Sequence, residues 1–178
     1  MKAITYQGVE SVRYEEVPDP AIEEDGDALV EVEIAAICGS DLHVYHGRET
    51  GLDVETVMGH EFAGRVVATG SSVGGLHTGD RVVSPFTTCC GRCFYCSEGL
   101  SARCASGQLF GWVESGAGLH GGQASLVRVP LAATTLFKIP DDLESGEALV
   151  LGDVLPTGYH CATMASSRLS RPSPTMAW

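Results

Sequence analysis

Apolar and polar residues alternate along much of the first 140 positions, most clearly at Leu29–Ile34. There Leu29, Glu31 and Glu33 fall on one face and Val30, Val32 and Ile34 on the other. Successive strand side chains point to opposite faces, so this run predicts a strand. Similar runs at Ala3–Tyr6, Val12–Val17, Phe62–Thr69, Arg81–Ser84 and Ser125–Val129 predict further strands. Turn-forming clusters separate them at 18–20, 24–27, 71–75 and 121–122. Short strands without long helices between them predict a mainly β, barrel-like or sandwich fold. An α/β unit would instead interleave helices of about ten residues or more.

The pattern changes near Pro140. Asp141–Leu151 reads as a helix with acids in its first turn, where the helix dipole favours them. A second helix is expected from Pro156 through Ala165. Further on neither period is present, and Pro172 and Pro174 oppose helix. The expected organisation is one domain over residues 1–161, followed by an irregular, truncated tail over 162–178.

Composition narrows the class. With 178 residues and 44% hydrophobic content, the chain can build a packed core. Eleven basic against 23 acidic residues give a formal net charge of -12, which opposes nucleic acid or an anionic membrane as partner. No apolar run matches a membrane span, and the N-terminal sequence has no signal-peptide core. The expected compartment is the cytoplasm, where cysteines more often bind metal than form disulfides.

The cysteines carry the strongest local signal. Cys90, Cys93, Cys96 and Cys104 follow the spacing C-x2-C-x2-C-x7-C, with Gly91 and Gly99 supplying backbone freedom. Two-residue gaps turn successive thiolates inward on one small loop, and the longer gap returns a fourth. Four thiolates in a tetrahedron form a closed structural zinc site, here a lobe over about residues 89–104. An iron–sulfur cluster also takes four cysteines, but its common run has a shorter last gap and a following proline. The odd total of seven cysteines fits a disulfide framework poorly. Cys89 is left as a spare thiol, and Cys161 falls on the last helix.

Further chemistry gathers in three short segments: Cys38-Gly39-Ser40-Asp41-Leu42-His43, Gly59-His60-Glu61-Phe62-Ala63-Gly64 and Gly152-Asp153 through His160. One Cys, one His and one carboxylate from three segments would make a three-ligand zinc site with an open position. Taken singly, each of these residues has an ordinary structural role as the commoner explanation.

Together, and in this order, CGSDLH, GHEFAG, the four-cysteine lobe and GDVLPTGYH resemble the zinc-dependent medium-chain alcohol dehydrogenases. The resemblance covers about residues 1–165. It implies a GroES-like β-barrel catalytic domain with two zinc ions, followed in the family by a Rossmann domain that binds NAD or NADP. Cys38 and His60 match catalytic zinc ligands. Asp153 matches the third, a Cys in many members and an Asp in some, including glutathione-independent formaldehyde dehydrogenases. Glu61 matches a residue close to the metal, and Asp41 an acid that accepts a hydrogen bond from the ligand His.

The resemblance also implies hydride transfer from an alcohol to a nicotinamide cofactor. In that scheme Ser40 takes the alcohol proton, the cofactor ribose passes it on, and His43 releases it near the surface. Thr157 packs against the nicotinamide, and His46 lies beyond the motif, lining the pocket or solvated. His77, His120 and His160 receive no role. Gly116, Gly118 and Gly121 fit the bare G-x-G-x-x-G pattern, but in a β region with no helix after them, so the match reads as chance. The Rossmann domain is therefore expected to be absent, and the chain to be a fragment that holds cofactor poorly. The expected substrate is a small alcohol or aldehyde, with a homo-oligomer possible as in the family. The competing class is a zinc-binding remnant without catalysis. A nucleic-acid zinc finger is remote, given the acidic charge.

Overall fold

The computed structural model describes residues 1–169, with side chains described through 166. Strands β1 (Lys2–Gly8) and β2 (Ser11–Glu16) form an antiparallel hairpin. The chain then enters β3 (Ala28–Ala35), the short helix α1 (Gly39–Tyr45) and β4 (Phe62–Thr69). After β5 (Arg81–Val83), the cysteine lobe holds helix α2 (Phe94–Ser97) and a 3-10 turn at Ser101–Arg103. A second hairpin, β6 (Trp112–Glu114) and β7 (Ala117–Leu119), precedes β8 (Leu126–Val129), α3 (Ala132–Thr135) and β9 (Phe137–Lys138). Helices α4 (Ser145–Gly152) and α5 (Val154–Leu169) end the described chain. None of the described helices is long and apolar enough to cross a membrane.

The central antiparallel sheet has the order β8-β3-β4-β5-β9. In β3 the alternation works as expected: Val30 is fully buried, while Glu31 and Glu33 face solvent. Glu33 pairs outward with Arg65 on β4 at 2.8 Å. Register shifts between Leu29 and Val30 and between Val32 and Ile34 bend the pair, as bulges do. Gly64 admits this curvature, since a Cβ there would lie 2.0 Å from the Glu31 carbonyl oxygen.

The first residues of β4 are buried on both faces, whereas Arg65 and Val67 further along are exposed. On one side Phe62 and Val66 join Val30, Val82, Phe110, Val127 and Val129 in the main core. The Phe62 and Phe110 rings meet edge to face at 5.1 Å, a favoured aromatic geometry. On the other side Ala63 packs with Val83, Ile139 and Ala148 beneath α4. A third cluster, Tyr6, Val44 and Met58, supports α1.

The six strands expected from alternation are present within one or two residues at each end. The β6–β7 hairpin and β9 were not expected, because strands of two or three residues are too short to show a period. In the hairpin, Ser115 (φ 54°) and Gly116 (φ 77°) form its two-residue turn, both left-handed as a type I′ turn requires. The Asp53 carboxylate accepts both turn N–H groups. The G-x-G-x-x-G spacing thus falls on a hairpin rather than on a strand–turn–helix unit.

The helices differ from expectation at their ends. Helix α4 begins at Ser145, not Asp141, because Glu144 and Glu147 form a capping box there. Helix α5 starts at Val154, with Pro156 tolerated in its first turn. It continues to Leu169, which corrects the irregular tail expected from residue 162. No proline intervenes before Pro172, and Ser166 satisfies its hydroxyl on the Ala162 carbonyl within the helix. Residues 170–178 of the expected tail lie outside the described residues.

Phe62→Ala should destabilise the chain by about 3–5 kcal/mol, since it empties the fully buried centre of the main core. Urea denaturation measures this, and a loss below about 1 kcal/mol would contradict the packing described.

Candidate functional site

The end of β3 and the start of β4 bring the first two segments together. Ala36 N–H donates to the Glu61 carbonyl oxygen at 3.0 Å, directly beyond the last strand pair. Cys38 then caps α1, and Asp41 reaches back to accept the Cys38 N–H at 2.8 Å. The same carboxylate presents Oδ1 to His60 Nδ1 at 3.4 Å. An anion at Nδ1 favours the proton there and leaves the Nε2 lone pair free for a metal.

His60 Nε2 points into a cluster. It lies 3.6 Å from Asp153 Oδ2, 4.0 Å from Glu61 Oε1 and 3.3 Å from Ser40 Oγ. One ligand atom from each of Cys38, His60, Glu61 and Asp153 lies within 4.8 Å of all the others. Asp153 sits between α4 and α5, and its Oδ1 accepts the Thr157 hydroxyl at 3.1 Å. A tetrahedral zinc with bonds of about 2.0–2.3 Å needs donor–donor edges of roughly 3.3–3.8 Å. The His60–Asp153 separation satisfies this, and the sulfur, nitrogen and oxygen donors fit zinc chemistry.

Burial alone would lower the His60 pKa, but Asp41 and Cys38 beside it raise it to about 9. The field that holds a proton there is also suited to a divalent cation. A cleft of about 390 Å³ opens beside the cluster. Ser40, His60, Asp153 and Thr157 line it together with Leu52, Met58, Phe86, Leu109, Phe110 and Trp112.

Cys90, Cys93, Cys96 and Cys104 form a second group, again with ligand atoms within 4.8 Å of one another. Cys93 Sγ lies 3.6 Å from Cys96 Sγ and 3.9 Å from Cys104 Sγ. Backbone N–H groups feed the sulfurs, including Cys90 N–H to Cys104 Sγ at 3.2 Å. The N–H groups of Ala105 and Cys96 hold the Cys93 thiol down to about 6. Burial and the neighbouring Cys93 and Cys104 thiols push Cys96 up to about 12. Crowded thiols that resist joint ionisation are what a cation between them relieves.

Residues 24–141 match the family described as the alcohol dehydrogenase GroES-like domain. The chain belongs to this family. It is 42% identical over 177 residues to a medium chain reductase/dehydrogenase of Acremonium sp., covering 99% of this chain and 59% of that protein. It is 44% identical over 168 residues to zinc-type alcohol dehydrogenase B of Aspergillus flavus, covering 93% of this chain and 37% of that one. Among solved structures, alcohol dehydrogenase TADH from Thermus sp. ATN1 superposes with a TM-score of 0.85 at 40% identity. That match covers 89% of this chain and 46% of the Thermus chain. This GroES-like chain therefore spans between 37% and 59% of the length of these relatives.

The remaining expected residues are placed as follows. His43 is exposed on α1, three residues after Ser40. Cys89 is not one of the four clustered ligands: its thiol donates to the Thr134 carbonyl at 3.1 Å and its N–H to Thr135 Oγ1. His46 is exposed beside Glu10 at 3.8 Å. His120 accepts the Val57 N–H through Nδ1 at 3.1 Å. Gln123 was missed by sequence reasoning. Its side chain reaches Asp41, yet an isolated Gln after a Gly-Gly turn carries no chemical signal.

In the metal-free chain, iodoacetamide at pH 7 should alkylate Cys93 before Cys96, because the thiolate is the nucleophile. Peptide mapping by mass spectrometry checks the order. Cys96 reacting first would contradict the N–H donation described at Cys93.

Proposed function

We propose that this chain is the catalytic domain of a zinc-dependent, NAD(P)-dependent oxidoreductase acting on a small alcohol or aldehyde. The observation that carries the reading is the convergence of Cys38, His60 and Asp153 at the head of the cleft, with Ser40 beside them. Cys38 Sγ, His60 Nε2 and Asp153 Oδ2 would hold a catalytic zinc, with Glu61 available as a further oxygen donor. Cys90, Cys93, Cys96 and Cys104 would hold a structural one. When bound in an open three-ligand site, zinc supplies a Lewis acid that lowers the pKa of an alcohol.

The other residues bind, orient and move a proton. The apolar wall of Leu109, Phe110 and Trp112 receives the carbon skeleton of the substrate and excludes water from it. Ser40 Oγ, 3.3 Å from His60 Nε2, accepts the hydroxyl proton of an alcohol lodged at the head of the cleft. His43, on α1 and exposed, would release that proton to solvent. Asp41 keeps the His60 proton on Nδ1 throughout. Thr157 orients Asp153 through its hydroxyl and would be the residue that meets the nicotinamide.

The nicotinamide cofactor supplies the hydride acceptor. Its phosphates require a glycine turn that opens a helix. Gly116, Gly118 and Gly121 lie on the β6–β7 hairpin and the loop after it, so among the described residues only Thr157 is assigned to the cofactor. A cytoplasmic location and a homo-oligomeric assembly complete the proposal.

Elemental analysis of the purified chain should find two zinc ions. Cys38→Ala combined with His60→Ala should remove one and leave the fold and the lobe zinc intact. A wild-type stoichiometry of one, or loss of both metals together, would overturn the two-centre reading.

A further inference from the structure

Gln123 has no counterpart among the residues assigned above, yet its side chain lies at the back of the proposed metal centre. Its Nε2 donates to the Ala36 carbonyl at 3.1 Å and to Asp41 Oδ2 at 3.3 Å. A side-chain amide has two N–H donors, and this geometry uses both. Asp41 is 8% exposed, so its carboxylate depends on protein donors rather than water. Oδ2 takes the Cys38 N–H and the Gln123 amide, which leaves Oδ1 for His60 Nδ1.

The backbone around Gln123 is fastened to the segment that delivers His60. Gly121 N–H donates to the Val57 carbonyl at 2.8 Å, Gly122 to Gly59 at 2.9 Å and Gln123 to Met58 at 2.9 Å. Gly59 has φ +93°, and a Cβ there would lie 2.4 Å from Gln123 Cγ. A side chain at 59 would therefore be strained in backbone and would expel the glutamine. The glycine before the ligand histidine and the Gly-Gly-Gln segment form one fitted unit.

We infer that Gln123 is a positioning residue of the metal centre, locking the Asp41 carboxylate so that His60 is held with Nε2 toward Cys38 and Asp153. The inference rests on the proposed zinc site. Rotating the Asp41 carboxylate would break the Gln123 bond and remove the anion from Nδ1. The imidazole would then lose both its fixed tautomer and its fixed plane. Loss of such an outer partner costs metal affinity rather than the fold.

The test compares the wild-type chain with Gln123→Glu and Gln123→Met. The first replaces the donors with a charge facing Asp41; the second keeps the length without polarity. Zinc affinity is measured at both centres by competition with a chromophoric chelator. Cobalt absorption reports the ligand field at the Cys38 centre, and urea denaturation reports the fold. Both variants should lose about 10- to 100-fold in affinity at the Cys38–His60–Asp153 centre and change its cobalt spectrum. The lobe affinity should stay within about twofold, well inside that range. Unchanged affinity at the Cys38 centre in both variants overturns the inference, as does an equal fall at both centres. A wild-type chain that takes up zinc only at the lobe overturns the proposed function itself, and this inference with it.

Discussion

The pairing of β3 with β4 is the constraint on which the site depends. Ala35 pairs with Phe62, and the ladder runs one bond further, from Ala36 to Glu61. That bond sets Cys38 and His60 side by side, so that their ligand atoms fall within 4.8 Å of each other. A slip of one residue would reverse every side chain on β4. Phe62 would leave the core and His60 would leave the cluster. The hydrophobic register of the sheet and the position of the metal donors are therefore one quantity. The slip is costly because Phe62 and Val66 are buried on one side of β4 and Ala63 at its start on the other.

Around this frame, polar groups that are not donors orient those that are. Asp41 faces His60 Nδ1 while also accepting the Cys38 N–H, so one carboxylate aligns two donors. Thr157 occupies one oxygen of Asp153 and leaves the other toward His60. Burial opposes charge on His60, but the Asp41 carboxylate and the Cys38 thiol raise its pKa to about 9. The lobe reaches a similar end by different means. There, backbone N–H groups lower one thiol while crowding raises another, and the strain among like groups invites a cation.

Much of this was legible before folding. Val30, Val32 and Ile34 announced a strand by alternation, and C-x2-C-x2-C-x7-C announced a tetrahedral cage by spacing. Cys38, His60 and Asp153 became a set only through the order of their motifs, because single residues of those types have many uses. The β6–β7 hairpin escaped notice: three-residue strands have no measurable period, and its turn was hidden within a glycine-rich stretch. The length of α5 is hidden because serines near its end discourage helix locally, whereas the Ser166 hydroxyl bonds back within it. Gln123 was invisible for a different reason. Its role exists only once Gly59, Ala36 and Asp41, remote in sequence, meet at one place.

The proposed chemistry requires a mixed sulfur, nitrogen and oxygen centre in addition to the four-thiolate one. X-ray absorption at the zinc edge, on the chain loaded with two equivalents, tests it most directly. The expected combined first shell holds the sulfurs of Cys38, Cys90, Cys93, Cys96 and Cys104 at about 2.3 Å, with nitrogen and oxygen donors at about 2.0–2.2 Å. Cys38→Ala should remove the contribution of one sulfur and leave the four-sulfur shell. A spectrum of sulfur alone, unchanged by that substitution, would contradict it.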